Sequence, residues 1–385
     1  MMQTPSNQPS PADDPPLIKL LECLLKTLKD WRNPDGAIHK LLKWLHRGLL
    51  FVNISYGIIL CLVLALLEWR AETHWFLCFA LYIPPQVWLL PVIVLGPLTL
   101  LIKPRWCLLH IAALILVLFV YMDPQFGSAG TPKGASIKIL TNNRGQDNKQ
   151  SPTNFIEAEK PDVVVFQEAG REAQFAKAYP GLSVRGIDEF TFISRFPIKQ
   201  AELLPQRGLN RRPVAARAVL DWEGRDLVIY TVHLTSPREI LEPMSKGGFV
   251  AAVFGRKGGY GEKLRNETQA FWDHQKKMAA EIAELAKKET APVLIAGDFN
   301  VPNHGQIYNS YCDQFTDAFE QAGSGYGLTF PGFTRNPLTF FGPWLRLDQI
   351  FSSSQLKPIA CKAEPGRRSQ HRSMVATFEL KESGK

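Results

Sequence analysis

Residues 48–67 form a run without a single charged side chain, and about twenty such residues are what a helix needs to cross the hydrocarbon core of a bilayer. No other feature restricts the chain so strongly, because a segment of this kind must leave water as a whole. Residues 75–102 are also uncharged but too long for one span, and Pro84-Pro85 breaks them, which places a second helix at 86–102. A third run, 106–122, has His110 as its polar member, a residue suited to lining a helix interface. One such run could be a buried core helix, but three in succession predict a transmembrane region at 48–122. A cleaved signal peptide fits poorly, since the first run starts far from Met1.

Orientation follows the placement of lysine and arginine. Lys19, Lys26, Lys29, Arg32, Lys40, Lys43 and Arg47 precede the first span, the first loop holds Arg70 between Glu68 and Glu72, and the second loop is Lys103-Pro104-Arg105. The pattern predicts a multi-pass membrane protein with its amino terminus inside and its carboxyl-terminal domain outside, periplasmic in a bacterial host. Residues 1–47 then form an inner-side region. Its first dozen residues have a disordered composition, and 17–31 place Leu17, Leu20, Leu21, Leu24, Leu25, Leu28 and Trp31 on one helical face opposite Lys19, Lys26 and Lys29. Such a helix suits the anionic inner leaflet or a helix pair equally well.

Residues 123–135 read as a linker containing a Gly, Ser, Pro and Ala stretch, and 136–385 as a soluble α/β domain. Strands are predicted at 136–140, 163–166, 190–193, 214–220, 227–232, 293–296, 347–351 and 373–378. Helices are predicted from Ser151 as cap and Pro152 as first helical residue, and over 263–287. Strands that follow one another without a helix between them argue against a doubly wound sheet and for mixed sheets packed face to face with helices outside. Of six cysteines, Cys312 and Cys361 lie in this domain and could pair in an oxidising compartment; no cysteine spacing suggests a metal site.

Two buried-strand runs end abruptly in polar residues, 292–300 in Asp298 and Asn300, and 162–168 in Gln167-Glu168. An apolar strand cannot hold unpaired charge along its length, whereas its carboxyl end opens into a crevice where ligands bind. Asn143, His233, Asp348 and His371 occupy comparable places. No serine or cysteine nucleophile motif accompanies them. Carboxylates and amides are hard oxygen donors, favouring magnesium, manganese or calcium over zinc, and histidines paired with carboxylates suit proton transfer near neutrality. Hydrolysis of a phosphodiester needs this set of groups. His274 and His304 have no motif around them and read as surface residues.

The ordered series Asn143, Gln167-Glu168, Ile193-Ser194-Arg195-Phe196-Pro197, His233-Leu234, Gly297-Asp298-Phe299-Asn300, Asp348 and Ser369-Gln370-His371 resembles the endonuclease/exonuclease/phosphatase superfamily over 136–380. With the preceding spans it is similar to a membrane-anchored bacterial branch. The resemblance implies a four-layered α/β sandwich of two mixed sheets with a divalent-metal site, Mg2+ or Mn2+, at one end. It implies Glu168 as principal metal ligand with Asn143 supporting the metal or phosphate, and Asp298 on the attacking water with Asn300 on the phosphate oxygen beside it. Asp348 is implied as the partner of His371, which contacts the scissile phosphate, and His233 as binding phosphate or protonating the leaving group. The family's closing Ser-Asp-His is here Ser369-Gln370-His371, a neutral amide in place of a carboxylate.

The net charge of +8 is compatible with an anionic partner. Arg207, Arg211, Arg212 and Arg217 could line a phosphate groove or form a solvated hairpin, without the interleaved aromatics of a single-strand stacking platform. Residues 236–262 are a long insertion carrying Phe249 and Phe254 beside Lys246, Arg256 and Lys257, suited to a bilayer contact, a lid or packing on the domain. The expected function is a membrane-anchored, divalent-metal-dependent phosphodiesterase or nuclease-like hydrolase, its phosphodiester or phosphoester substrate being nucleic acid or a lipid head group. The alternatives are a phospholipid or inositol phosphate hydrolase, for which the Trp-Cys-Asp-Arg signature is missing, and a non-catalytic binding module, which Gln370 would explain.

Overall fold

The computed structural model describes residues 36–145, 150–332 and 342–381, with Cys23, Lys26 and Thr339. The expected disordered start and the amphipathic face at 17–31 lie outside the described residues, apart from Lys26. The chain divides into two units, one taking in residues up to Leu60 with Leu90–Ala113, the other Cys61–Leu89 with everything from Leu114 onward.

Three helices are long and apolar enough to cross a membrane, Ala37–Thr73, Pro85–Ile102 and Pro104–Tyr121. The first is longer than the uncharged run, because the helix continues through its polar flanks from Ala37 to Arg70 before a short 3-10 turn at Ala71–Thr73. In the first unit one polar residue from each helix meets the others. Asn53 Nδ2 donates to Thr99 Oγ1 at 2.9 Å, and His110 Nε2 lies 3.1 Å from the same oxygen. All three are buried. His110 therefore lines a helix interface, as expected.

In the second unit all eight predicted strands form. Numbered with those the sequence did not reveal, they are β1 Ser136–Asn143, β2 Val163–Gln167, β3 Ser183–Ile187, β4 Phe190–Ser194, β5 Ile198–Leu203, β6 Ala215–Trp222, β7 Arg225–His233, β8 Val293–Asp298, β9 Thr316–Asp317, β10 Asp348–Ser352, β11 Leu356–Ala363 and β12 Met374–Leu380. Among the described residues they make two mixed six-stranded sheets. The first has the order β9-β10-β8-β7-β6-β5 and the second β11-β12-β1-β2-β4-β3.

Alternation along the strands builds the layers. Val163 and Val165 of β2 face Ala218, Ile229 and Ala296 of the first sheet in one apolar core, while Val164 and Phe166 pack outward with Ile156 and Phe175 of two short helices. On the outer face of the first sheet, Trp272, Ile282 and Ala283 of the long helix Tyr260–Lys287 cover Val228, Tyr230 and Ile295. Helix, sheet, sheet and helix thus give the four layers anticipated. The helix expected to begin at Pro152 starts at Thr153, with Pro152 as its cap.

The segment Cys61–Leu89 belongs to this unit in its packing as well. Cys78 is buried in the core between the first sheet and the long helix, and the Tyr82 ring packs 5.8 Å from Trp272. Cys312 and Cys361 are free, so the disulfide considered from the sequence does not form; Cys361 lies in the core between the sheets and Cys312 packs on the core of the long helix.

Candidate active site

Strand register brings the polar strand ends together. Asp298 closes β8, and its Cα partners are His233 across the parallel β7 and Asp348 across the antiparallel β10. In the other sheet Asn143 pairs with Gln167, leaving Glu168 one residue beyond the end of β2. Gly297 is needed beside this corner, since a Cβ there would overlap the Val232 carbonyl of the neighbouring strand.

Asn143 bridges the two sheets. Its Nδ2 donates to Glu168 Oε1 at 3.1 Å and to Asp298 Oδ2 at 2.9 Å. Asp298 Oδ2 also lies 3.8 Å from His233 Nε2 and 3.6 Å from His371 Nε2. Each imidazole is backed by a carboxylate on its other nitrogen, His371 Nδ1 by Asp348 Oδ2 at 3.0 Å and His233 Nδ1 by Glu189 Oε1 at 2.6 Å. Six of the seven predicted residues therefore share one cluster. Asn300 stands at its back: its Nδ2 donates to Leu234 O at 2.8 Å, and its N–H donates to Asp298 Oδ1 at 2.9 Å.

Electrostatics follow from that packing. Burial pushes His233 down, but the hydrogen bond it donates to Glu189 and the charges of Asp298, Glu189 and Glu168 outweigh it and raise the imidazole to about 9. Burial likewise opposes charge on His371, and Asp348 with Asp298 overcomes it, leaving that pKa raised. Burial raises the Asp298 carboxyl, with Asp348 adding to the effect while His371, His233 and Asn143 counter it. Glu168 differs from these, with 36% of its side chain exposed and a backbone φ of +54°. A glutamate in the left-handed region is held there at a cost of about 1–3 kcal/mol, the kind of strain that functional positions store.

Which residues suit a cation follows from the donor chemistry. Glu168 and Asp298 offer hard oxygens, each accepting from Asn143 Nδ2, while the Asn143 oxygen accepts the Gly145 N–H, and Glu168 faces solvent. Among the described residues no three His, Cys, Asp or Glu side chains converge as a complete metal cage. One or two carboxylates with water filling the remaining positions is how magnesium is usually held, so the residues fit that ion and would not fit a closed zinc site.

Sequence reasoning missed Glu189. It sits in the turn before β4, where a charge ordinarily reads as solvated, yet β4 runs antiparallel to β2 and so starts where β2 ends. Arg367 was missed too; its Nη2 donates to Asn142 Oδ1 at 3.0 Å and to the His371 carbonyl at 3.2 Å, fastening the His371 loop to β1. His304 and His274 are not simple surface residues. His304 stacks on Tyr121 and lies 2.7 Å from Glu68 Oε2, and His274 Nε2 is 2.9 Å from the Arg207 carbonyl. Arg217 pairs with Glu289 at 2.6 Å and with Glu202 at 3.3 Å, a structural ion pair that leaves it little freedom to line a groove. Within the insertion, Phe249 packs on Trp75, Phe76 and Phe79, whereas Phe254 is 81% exposed.

Comparison with solved structures finds similar chains throughout this fold. They include a humanized TDP2 of D. rerio (18% identity, TM-score 0.45, covering 64% of this chain and 99% of that one) and mannosyl-6-phosphatase Bt3783 of Bacteroides thetaiotaomicron VPI-5482 (15%, 0.45, 63% and 99%). A third is the 3'-5' exonuclease NExo of Neisseria meningitidis (17%, 0.45, 63% and 100%). A comparison with curated protein sequences finds no match. The family profile named Endonuclease/Exonuclease/phosphatase family matches residues 153–371, more than half of the chain and nearly all of the site. With that match, the chain belongs to the endonuclease/exonuclease/phosphatase family, whose members include nucleases and phosphatases.

Proposed function

We propose that this chain is a membrane-anchored, divalent-metal-dependent phosphodiesterase. One observation carries the reading: two imidazoles, each backed by its own carboxylate, converge on a third carboxylate, Asp298, beside the open Glu168. Glu168, with Asn143 supporting it, would hold Mg2+ or Mn2+, and the bound ion would supply neutralisation of the phosphate charge.

Asp298 accepts a proton from water, and the water oxygen attacks phosphorus on the face opposite the ester oxygen that leaves. The phosphorus–oxygen bond breaks, and the departing oxygen takes a proton from an imidazolium. His233 suits that donor role, because at a pKa of about 9 it is charged at neutral pH. His371, fixed by Asp348, donates its Nε2–H to a phosphate oxygen. Asn300 orients Asp298 by its main-chain N–H. Gln370 leaves the metal side one negative charge short of the usual family pattern, which weakens cation affinity without removing the principal ligand.

The length and apolar character of the three helices support a membrane anchor, and the lysine and arginine pattern favours the outer face for the hydrolase. Nucleic acid is the first substrate class. A lipid head group is the second, favoured by the exposed Val250, Val253 and Phe254 beside Arg256 and Lys257.

The test is hydrolysis by the full chain in detergent of DNA, RNA, bis(p-nitrophenyl) phosphate and anionic phospholipid, each with Mg2+, Mn2+ or EDTA. Turnover with metal, lost in EDTA and reduced at least about a hundredfold in Glu168→Ala, is the expected result. Turnover that survives either change overturns the metal mechanism. Turnover of none of the four substrates favours the binding module.

A further inference from the structure

The segment that follows the first membrane helix reaches the back of the site. Tyr82 Oη donates to the Asn300 carbonyl at 2.7 Å. The same residue is held in place by its ring against Trp272 and by Trp344, whose Nε1 donates to the Tyr82 carbonyl at 3.3 Å. Asn300 has a φ of +51°. Its peptide N–H orients Asp298 Oδ1, so the residue is gripped on both sides, by Asp298 through its N–H and by Tyr82 through its carbonyl.

The far end of the same loop is gripped from the last turns of that first helix and the 3-10 turn that ends it. Glu72, fully buried, accepts the N–H of Gln306 at 2.6 Å, and its carboxylate lies where a Cβ on Gly305 would stand. Glu68 holds His304 through its carboxylate and accepts the Asn309 amide at its carbonyl, at 2.7 and 2.8 Å. The loop after β8 thus has its two ends fixed by three residues, Glu68, Glu72 and Tyr82. A loop between membrane helices needs no buried carboxylate of its own, and one without a partner there would cost several kcal/mol. The arrangement makes sense as a brace.

We propose that Tyr82 is a positioning residue for the hydrolytic site, acting on Asp298 through the Asn300 carbonyl. The inference rests on the hydrolase reading above, since Asp298 must act on water for its orientation to affect turnover. Tyr82→Phe removes one hydroxyl and leaves the ring on Trp272. In the full chain in detergent, with Mg2+ and bis(p-nitrophenyl) phosphate, kcat falls about tenfold while KM stays within about twofold, the pattern of a lost transition-state interaction worth one hydrogen bond. Hydrogen exchange of the amides at 298–306 quickens by a similar factor. Tyr260→Phe, at an exposed tyrosine on the first turn of the long helix, leaves both as in the wild type.

In an active enzyme kcat decides, and an unchanged kcat in Tyr82→Phe overturns the proposal even if the melting temperature drops. If the wild type hydrolyses nothing, the hydrolase reading has failed, and exchange at 298–306 decides alone. Faster exchange then keeps Tyr82 as a brace of the Asn300 loop, and exchange unchanged from wild type overturns it.

Discussion

His233 shows how one neighbour sets a residue's chemistry. A histidine in water titrates near 6.5, and here Glu189 with the surrounding acids raises it to about 9 against the effect of burial. A folded-state pKa above the unfolded one stabilises the protein fully below the unfolded value, and that stability is lost as pH rises through the folded one. Thermal unfolding of the full chain in detergent and EDTA is expected to show a fall between pH 6.5 and 9, on the order of 3 kcal/mol from this group. Glu189→Gln flattens that fall by removing the negative charge that faces Nδ1. A pH profile identical in the two proteins would separate Glu189 from the titration. The acids, amides and imidazoles that end strands were legible in the sequence because a short apolar run cut off by a polar group marks the place where a buried strand meets solvent. Glu189 and Tyr82 were not, because each lies in a connection whose meaning depends on which distant strand end lies beside it.

At the level of elements, what the sequence hid has one physical cause. Four of the six unpredicted strands, β3, β5, β9 and β11, are the four edges of the two six-stranded sheets, and the other two, Gln125–Phe126 and Ser324–Gly325, pair with each other. Edge strands are half wet and carry polar or breaking residues as protection against pairing with other chains. Thus β5 contains Lys199, Gln200 and Glu202, and β11 contains Lys357, Pro358 and Lys362. The central strands, buried on both faces, stand out as apolar runs. The three long apolar helices were equally legible, but the polar contact that joins them was not, since His110 gave only a hint of an interface. Thr99 accepts from Asn53 and meets His110. Thr99→Val is expected to lower the stability of the helix bundle by roughly 1–2 kcal/mol, read from unfolding in detergent, because interhelical hydrogen bonds in membranes are worth about that much. No change in the variant would mean that packing alone holds the three helices.

For the whole molecule, a convenient soluble fragment starting at the linker would be a poor substitute for the full chain. A fragment from Gly127 lacks Cys78 and Tyr82, which pack with the core of the long helix or against it, and leaves Gln306 without its buried acceptor. It is expected to melt at least about 2 °C below the full chain in the same detergent, since the loss exceeds about 1 kcal/mol and that much shifts a domain of this size by roughly 2–4 °C. Equal melting temperatures would show that the segment merely rests on the domain.

Gln167 adds one more consequence. From the second sheet it donates to Thr231 of the first at 2.9 Å and to Thr141 of its own at 3.1 Å, a polar stitch through the seam in addition to the crossings that Asn143, His233 and His371 make at the site. Asn143, Glu168, Glu189 and His371 lie on one side of that seam, His233, Asp298 and Asp348 on the other. Greasy faces slide over one another with little penalty, whereas a stitch permits a single alignment. Gln167 therefore works like the dowel of a two-part mould, and each half of the chemistry means nothing until the halves are closed in that one alignment.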